Sequence, residues 1–74
     1  MFTVIELQTN DGVTSALTYV YSEENQAYQK YHEILSYAAV SEIDIHASLI
    51  IDCHGYILKQ EFFDRTQVNP TVEE

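Results

Sequence analysis

In one stretch of the sequence the apolar residues recur with the period of a helix. The segments on both sides of this stretch have the residue pattern of β-strands. Five apolar residues share one face of a helix with 3.6 residues per turn, since they are spaced by four, three, one and three positions: Ala27, Tyr31, Ile34, Leu35 and Ala38. The opposite face is polar and carries Gln26, Gln29, Lys30, Glu33 and Ser36. The flanking segments must therefore supply a surface on which one amphipathic helix can pack.

The segments before the helix predict a β-hairpin. Residues 2–7 are rich in β-branched and aromatic side chains, and Asp11-Gly12 favours a two-residue primed turn. Residues 13–21 have the composition of the returning strand. A two-residue turn sets the register, which pairs Val4 with Tyr19.

The ends of the helix follow from its flanks. Ser22 is a good N-cap, and Glu23 and Glu24 place negative charge where the helix dipole is positive. The helix is expected to end near residues 40–42, where β-branched residues and serine replace good helix formers.

A second hairpin is predicted after the helix. Residues 43–52 alternate between an apolar phase and a mostly polar phase, which indicates a half-buried antiparallel strand. The sequence Cys53-His54-Gly55-Tyr56 predicts a turn with His54 and Gly55 at its centre, followed by a fourth strand at 56–63. This register pairs Ile51 with Leu58 and Ala47 with Phe62.

Together these elements predict an α+β fold, a four-stranded, mainly antiparallel sheet in the order ββαββ with one helix packed on one face. The single domain is expected to span residues 1–63. Residues 64–74 leave little to bury and are expected to form a polar, mobile tail. The order of the strands within the sheet stays open.

Apolar residues on the strands exceed what one helix can cover. Some of them fall in the phase opposite to the one assigned to the helix, where water would otherwise meet them. A second copy of the chain could cover that phase, so a homo-oligomer, and first a dimer, is expected. The predicted interface residues are Ile50, Ile57, Phe63, Tyr21 and Phe2.

Size and composition favour the same conclusion. The chain has 74 residues and is 46% hydrophobic, which is typical of a small globular domain with a marginal core. Small domains are often supplemented by disulfides, a metal or a partner subunit, and the single cysteine, Cys53, excludes an intrachain disulfide. Six tyrosines suit an interface, and they suit equally a small core filled by bulky side chains.

The charge balance bears on possible partners. Twelve acidic and three basic side chains give a net charge of -9, and Lys30, Lys59 and Arg65 are isolated from one another. Direct binding to nucleic acid or to an anionic membrane is therefore not expected, because both require clustered basic residues. With no signal-like start and no apolar run of membrane-spanning length, the expected location is cytoplasmic, or virion-associated if the chain derives from a phage.

A second function of a different class is compatible with this charge. An acidic inhibitor could mimic nucleic acid and occupy the binding site of a host protein. That function requires six carboxylates to form one continuous stripe: Glu23, Glu24, Glu33, Asp44, Glu61 and Asp64. An even scatter would instead reduce the charge to a solubility feature.

Few residues suggest catalysis. Asp52-Cys53-His54 combines a thiol with an imidazole, but neighbours on a strand point to opposite faces unless a turn bends them together. His32, His46 and His54 could meet Asp44 or Asp52 on a metal, yet no zinc-like spacing is present. We therefore predict no catalytic residue, no metal site and no cofactor, and a protein that is not an enzyme.

Several stretches of the sequence carry a resemblance to a known family. Residues 30–41 (KYHEILSYAAVS) followed by residues 45–50 (IHASLI) and Gly55, together with residues 2–8 (FTVIELQ) and Asn10-Asp11-Gly12, resemble a family of uncharacterised small proteins encoded by phages and prophages of Gram-positive gut bacteria. The family's last strand often ends in a cysteine and basic residues, from which residues 61–64 (EFFD) depart. The resemblance implies a phage or prophage context and an assembly or accessory role, possible phage or host protein partners, and no catalytic residues.

Overall fold

The computed structural model describes residues 1–66, which form four strands and one helix. The elements are β1 Phe2–Asn10, β2 Val13–Tyr21, α1 Glu24–Ala38, β3 Ile45–Ile51 and β4 Ile57–Asp64. The strand order is β2-β1-β3-β4, and all neighbours are antiparallel. The predicted α+β class and ββαββ order are confirmed.

The first hairpin forms as its turn residues predict. Asp11 and Gly12 both have positive φ, 53° and 78°, as a type I′ turn requires. The turn twists in the same sense as the strands that it joins. Val4 pairs with Tyr19 as predicted, and all nine residues of β1 are in register with β2.

The second turn is longer than predicted. The N–H of Asp52 donates to the carbonyl of Tyr56 at 3.0 Å, so the loop between them has three residues. The N–H of Gly55 donates to the Asp52 carbonyl at 3.1 Å, and Gly55 adopts a φ of +89°. A glycine in the left-handed region after a tight turn is the usual way to close a three-residue hairpin loop.

This loop shifts the start of β4, and an irregularity in β4 compensates for the shift. Ile51 pairs with Ile57, so the predicted pairing with Leu58 is wrong. The register changes between Ile50 and Ile51, where Leu58 is the extra residue of a β-bulge. Beyond the bulge the predicted pairing of Ala47 with Phe62 is confirmed.

Helix α1 begins two residues after the predicted cap. Glu23 is the N-cap residue, with extended backbone at φ -112° and ψ 135°, and it makes no side-chain capping bond. The prediction that Ser22 caps the helix is therefore wrong, and the helix ends at Ala38, before the expected 40–42. The predicted apolar face is confirmed, since Leu35 packs at its margin and the remaining members are buried: Ala27, Tyr31, Ile34 and Ala38.

The path of the chain sets which sheet face the helix covers. Strands β2 and β3 are both antiparallel to β1, so they run parallel to each other, and α1 connects them across β1. Connections between parallel strands of one sheet are right-handed in nearly all proteins. The strand order therefore constrains the covered face, whatever the number of apolar residues on it.

The prediction of which alternating set of strand residues lies beneath the helix is wrong. Helix α1 packs on Val4 and Ile50, which are both 0% exposed, and Phe2 and Tyr21 pack against the same core. Ile50, Phe2 and Tyr21 therefore lie on the covered face and not on an open interface.

Two further predicted interface residues lie on different faces. Phe63 pairs with His46 and so belongs to the covered face, where it is 37% exposed at the edge of the sheet. Ile57 pairs with Ile51 on the opposite face and is 55% exposed. Of the five predicted interface residues, only Ile57 therefore lies on the face that α1 leaves uncovered, and the other four lie on the covered face.

Polar side chains accompany the buried apolar ones beneath the helix. Ser48 is 0% exposed and donates to the carbonyl of Tyr31 at 3.4 Å, and His46 is 3% exposed between two polar partners. Polar groups can be buried when they are hydrogen-bonded, so a count of apolar residues does not show which phase is inside.

The ordered domain extends past the predicted boundary at residue 63. Asp64 ends β4, and the N–H of Arg65 donates to the Asp44 carbonyl at 2.7 Å. The guanidinium of Arg65 also donates to the carbonyls of Ala38 and Ile43, which ties the chain to the loop after α1. The rest of the predicted tail, residues 67–74, lies outside the described residues.

The assignment of faces can be tested with two neighbouring isoleucines. Ile50→Val should lower the free energy of unfolding by about 0.5–1.5 kcal/mol, because it removes a methylene from a fully buried site. Ile51→Val, on the uncovered face, should cost clearly less in dilute solution. Urea unfolding of both variants measures the difference, and a larger loss for Ile51→Val would contradict the face assignment.

Candidate functional site

The sheet face opposite α1, here called the open face, is the most extensive candidate for contact with another molecule. Strand residues alternate between faces, so the pairing register identifies its members. They are Thr3, Ile5, Leu7, Thr9, Thr14, Ala16, Thr18, Val20, Ile45, Ala47, Leu49, Ile51, Ile57, Gln60, Phe62 and Asp64.

The centre of the open face is apolar. Leu7, Ala47 and Phe62 lie side by side in one row across three strands, and Ile5 and Leu49 adjoin in the next row. A shallow depression of about 180 Å³ runs along this part of the sheet, and the Phe62 side chain beside it is 61% exposed. The four neighbours of Phe62 in these rows are half-buried, and a contiguous group of apolar side chains that water still reaches is typical of interaction surfaces.

The open face is almost free of charge. Asp64, at its margin, is its one ionisable residue, and that carboxylate accepts hydrogen bonds from the N–H and hydroxyl of Thr66 at 3.0 and 2.6 Å. The sheet face under α1, in contrast, carries four residues with acidic or basic side chains: Glu6, His46, Lys59 and Glu61. The more apolar and less charged side of the sheet is thus the one that α1 leaves uncovered.

The sequence showed that these residues share one face of the sheet, but the prediction placed that face beneath the helix. The alternation of Ile45, Ala47, Leu49 and Ile51 was visible in the sequence. The signal that could have placed them on the other side is the pairing of Val4 with Ile50, which depends on β3 lying beside β1.

A buried polar network lies at the opposite side of the sheet. His46 Nε2 lies 2.6 Å from Glu6 Oε2, and His46 Nδ1 lies 3.1 Å from the Ser41 hydroxyl. Gln8 donates a further bond to the same Glu6 oxygen at 2.9 Å. An ionised carboxylate only accepts hydrogen bonds, so Nε2 of His46 is the donor to Glu6.

The composition of this network, a serine, a histidine and a carboxylate, is that of a hydrolytic triad, but its position indicates a structural role. His46 is 3% exposed beneath the helix, and the depression on the open face is not lined by Ser41, His46 or Glu6. The network connects the loop after α1 to strands β1 and β3. It therefore holds the end of the helix on the sheet.

The turn at Asp52-Cys53-His54 brings together groups that were expected to point apart. Cys53 Sγ lies 3.7 Å from His54 Nδ1, so the turn does bend the two side chains toward each other. Both residues are exposed, and His54 Nδ1 lies 4.0 Å from an Asp52 oxygen.

Asp52 organises this turn. Its Oδ1 accepts from the N–H groups of His54 and Tyr56 at 2.8 and 3.0 Å. Desolvation alone would raise the pKa of Asp52, but these backbone donors and the nearby His54 outweigh it and lower the pKa. The interpretation of His54 as a polar turn residue agrees with this geometry.

The histidines do not converge. His32 lies on α1 with its ring edge-on to Tyr31 at 5.1 Å, His46 is buried under the helix, and His54 is in the exposed turn. Within residues 1–66 no three His, Cys, Asp or Glu side chains form a group that could hold a metal ion.

An open groove of about 500 Å³ lies between α1 and β2. Its walls are Tyr21, Gln26, Gln29, Lys30 and Glu33. Lys30 is already engaged there, with Nζ 3.1 Å from Glu33 and 4.3 Å from the centre of the Tyr19 ring. The hydrogen bond to Glu33 raises the pKa of Lys30. Because this ammonium group is already paired with a carboxylate, the residues that line the groove offer no unpaired cation to an anionic ligand.

The carboxylates do not form one stripe. Glu23 and Glu24 follow the end of β2 that pairs with Phe2, whereas Asp44 precedes the opposite end of the sheet. Glu33 lies on the β2 side of α1, and Glu61 lies on β4. The acidic residues thus occupy both ends and both flanks of the domain, which is the scatter expected of a solubility feature.

The buried hydroxyl of Tyr31 stands apart from these networks. Tyr31 is 0% exposed, and among the side chains of residues 1–66 its hydroxyl oxygen is the buried polar atom without a hydrogen-bond partner. Burial raises the pKa of this phenol above its ordinary value, and the negative charge of Glu61 adds to the shift.

Comparisons with protein-family models, with curated proteins and with solved structures find no match to this chain. In the described part of the chain, no helix has both the length and the apolar character needed to cross a bilayer. The candidate surface therefore has to be interpreted from its own geometry and chemistry.

The buried network can be tested through Glu6. Glu6→Ala leaves the Nε2–H of His46 buried without an acceptor, so the free energy of unfolding should fall by about 1–3 kcal/mol. Glu33→Ala, which removes an exposed ion pair with Lys30, is the matched control and should cost about 0–1 kcal/mol. Equal losses in urea unfolding would show that the network does not hold the helix on the sheet.

The unpartnered phenol makes a prediction for alkaline pH. A raised folded-state pKa contributes stability that is complete below the ordinary value of 10.0 and is lost as pH rises through the folded-state pKa. Tyr31→Phe should therefore lose less stability in this range than the natural chain. At neutral pH it should be as stable or more stable, by up to about 1 kcal/mol, because the buried hydroxyl has no hydrogen-bond partner within residues 1–66.

Denaturant unfolding at neutral pH and above pH 10.0 measures both effects. Tyr37→Phe is the control, since Tyr37 is 61% exposed and its hydroxyl should not affect stability. A Tyr31→Phe variant that is less stable than the natural chain at neutral pH would show that the hydroxyl has a stabilising partner.

Proposed function

We propose that this chain is a non-enzymatic, phage- or prophage-derived structural or accessory protein that associates with further copies of itself through the open face. The observation that carries the proposal is the distribution of residues on the sheet. The helix covers the face with more ionisable groups, and the more apolar face remains available to a partner. The phage or prophage context is supported by the sequence resemblance.

Charge favours this face as the point of contact between copies. Each chain carries a net charge of -9, so two copies repel each other wherever their carboxylates approach. The open face is a broad surface on which Asp64, at the margin, is the one carboxylate. Two copies that meet there bring apolar residues and threonines together and keep most of their charges apart.

The area of the open face suits a dimer of moderate affinity. Four strands about 4.8 Å apart and strands of seven to nine residues at about 3.3 Å per residue give roughly 500 Å² per copy. A pair would bury roughly 1,000 Å², which is near the lower limit for specific interfaces. Two sheets packed face to face about 10 Å apart would form a β-sandwich.

The alternative function, an acidic mimic of nucleic acid, has weaker support. The net charge permits it, but the carboxylates are spread over both ends and both flanks of the domain. A host or phage protein could also occupy the open face in place of a second copy. Self-association is preferred because a face with one marginal carboxylate, on an otherwise acidic chain, suits another copy of that chain.

Two exposed aromatic residues provide a matched test. Phe62 on the open face and Tyr37 on α1 are both 61% exposed, so neither is needed for the core. Phe62→Glu places a carboxylate in the proposed contact and should weaken dimerisation at least about tenfold, whereas Tyr37→Glu adds the same charge elsewhere and should leave it nearly unchanged. Sedimentation equilibrium over the micromolar range measures both constants.

Salt gives a second readout of the same experiment. Added salt screens the repulsion between two acidic copies, so dimerisation of the natural chain should strengthen as ionic strength rises. A contact built on ion pairs would weaken instead. A natural chain that stays monomeric throughout, or equal effects of the two variants, would rule out self-association through the open face.

A further inference from the structure

We infer that β2 is a second contact surface, at which two copies of this chain pair antiparallel about a two-fold axis and join their sheets into one. Strand β2 is the outer strand beside β1, and within residues 1–66 no strand pairs with its other edge, which therefore presents backbone N–H and C=O groups to a partner. This inference rests on the proposed function in that copies of the chain associate. It adds a contact that is separate from the open face.

The edge of β2 lacks the features that usually prevent strands from pairing. Its nine residues, VTSALTYVY, contain no charge and no proline, and its register with β1 is continuous. Most of them are exposed, including Val13 at 70%, Leu17 at 49% and Val20 at 59%. An edge of this length with β-branched and aromatic residues is a template for another strand.

The other edge of the sheet is protected. Strand β4 carries Lys59, Glu61 and Asp64, and the bulge at Leu58 interrupts its register. Charged side chains and bulges are the common means by which edge strands avoid pairing. A head-to-tail contact between β2 and β4 would also add further copies into a ring or an open filament, whereas β2 paired with itself closes after two copies.

A second copy is the partner that suits this edge best. Antiparallel pairing about a two-fold axis places each residue of β2 opposite another residue of β2, and no two carboxylates on the strands face each other. With Leu17 at the axis all nine residues are paired, and Thr14 lies opposite Val20. Residues of the open face then meet residues of the open face, so the joined sheet has one continuous open face.

Cysteine cross-linking tests the axis directly. Paired residues of antiparallel strands have Cα atoms about 4.5–5.5 Å apart, within the range of about 4.4–6.8 Å that a disulfide accepts. Leu17→Cys, in a Cys53→Ser background that removes the exposed natural thiol, should therefore form a disulfide dimer under mild oxidation.

Val20→Cys in the same background is the matched control. Val20 is at least as exposed as Leu17, but two copies of it would lie six residues apart along the strands, roughly 20 Å. Rapid dimer formation by Leu17→Cys and little by Val20→Cys supports the two-fold pairing. Equal rates, or no dimer from Leu17→Cys, would overturn it.

Adding Phe62→Glu to each cysteine variant separates the two contacts. Cross-linking at residue 17 should persist, because Leu17 lies on the covered face and the edge contact does not use Phe62. If Leu17→Cys fails to cross-link while Phe62→Glu alone abolishes association, the edge pairing is wrong and the open-face contact stands. If cross-linking persists and Phe62→Glu alone leaves association unchanged, the open-face contact is wrong and the edge pairing stands.

Discussion

The packing of α1 on Val4 and Ile50 is the contact on which the rest of the structure depends. Both residues are fully buried in the two central strands, and Tyr31 and Ile34 of the helix cover them. Because α1 lies on this face, the other face has no cover from within residues 1–66. The same contact therefore creates the core and leaves an apolar surface on the opposite side.

Polar groups share the space beneath the helix with this small core. Ser48 and His46 are buried because each has partners, the Tyr31 carbonyl for Ser48 and the Glu6 and Ser41 side chains for His46. Such bonds are directional, so they specify the position of the helix more narrowly than apolar contacts alone. The helix is thus positioned by a polar network as well as by its apolar stripe.

The open face and the edge of β2 are proposed as contact surfaces for the same physical reason. Two copies of a chain with a net charge of -9 repel each other least where charged side chains are few, and the open face and the edge of β2 are two such places. In contrast, β4 and the exposed side of α1 carry charged residues. The surfaces with few charged side chains are thus suited to contact between copies, and the surfaces with many charged side chains are suited to contact with water.

The sequence by itself determined the elements, the first hairpin and the apolar stripe of the helix, because these depend on contacts between residues near in the chain. Asp11-Gly12 fits a type I′ turn, and the spacing from Ala27 to Ala38 is that of a helix. Only the tertiary structure decided the strand order and the face that buries Ile50. These depend on β3 pairing with β1 across the intervening helix, and alternation along a strand marks two faces without showing which of them is inside.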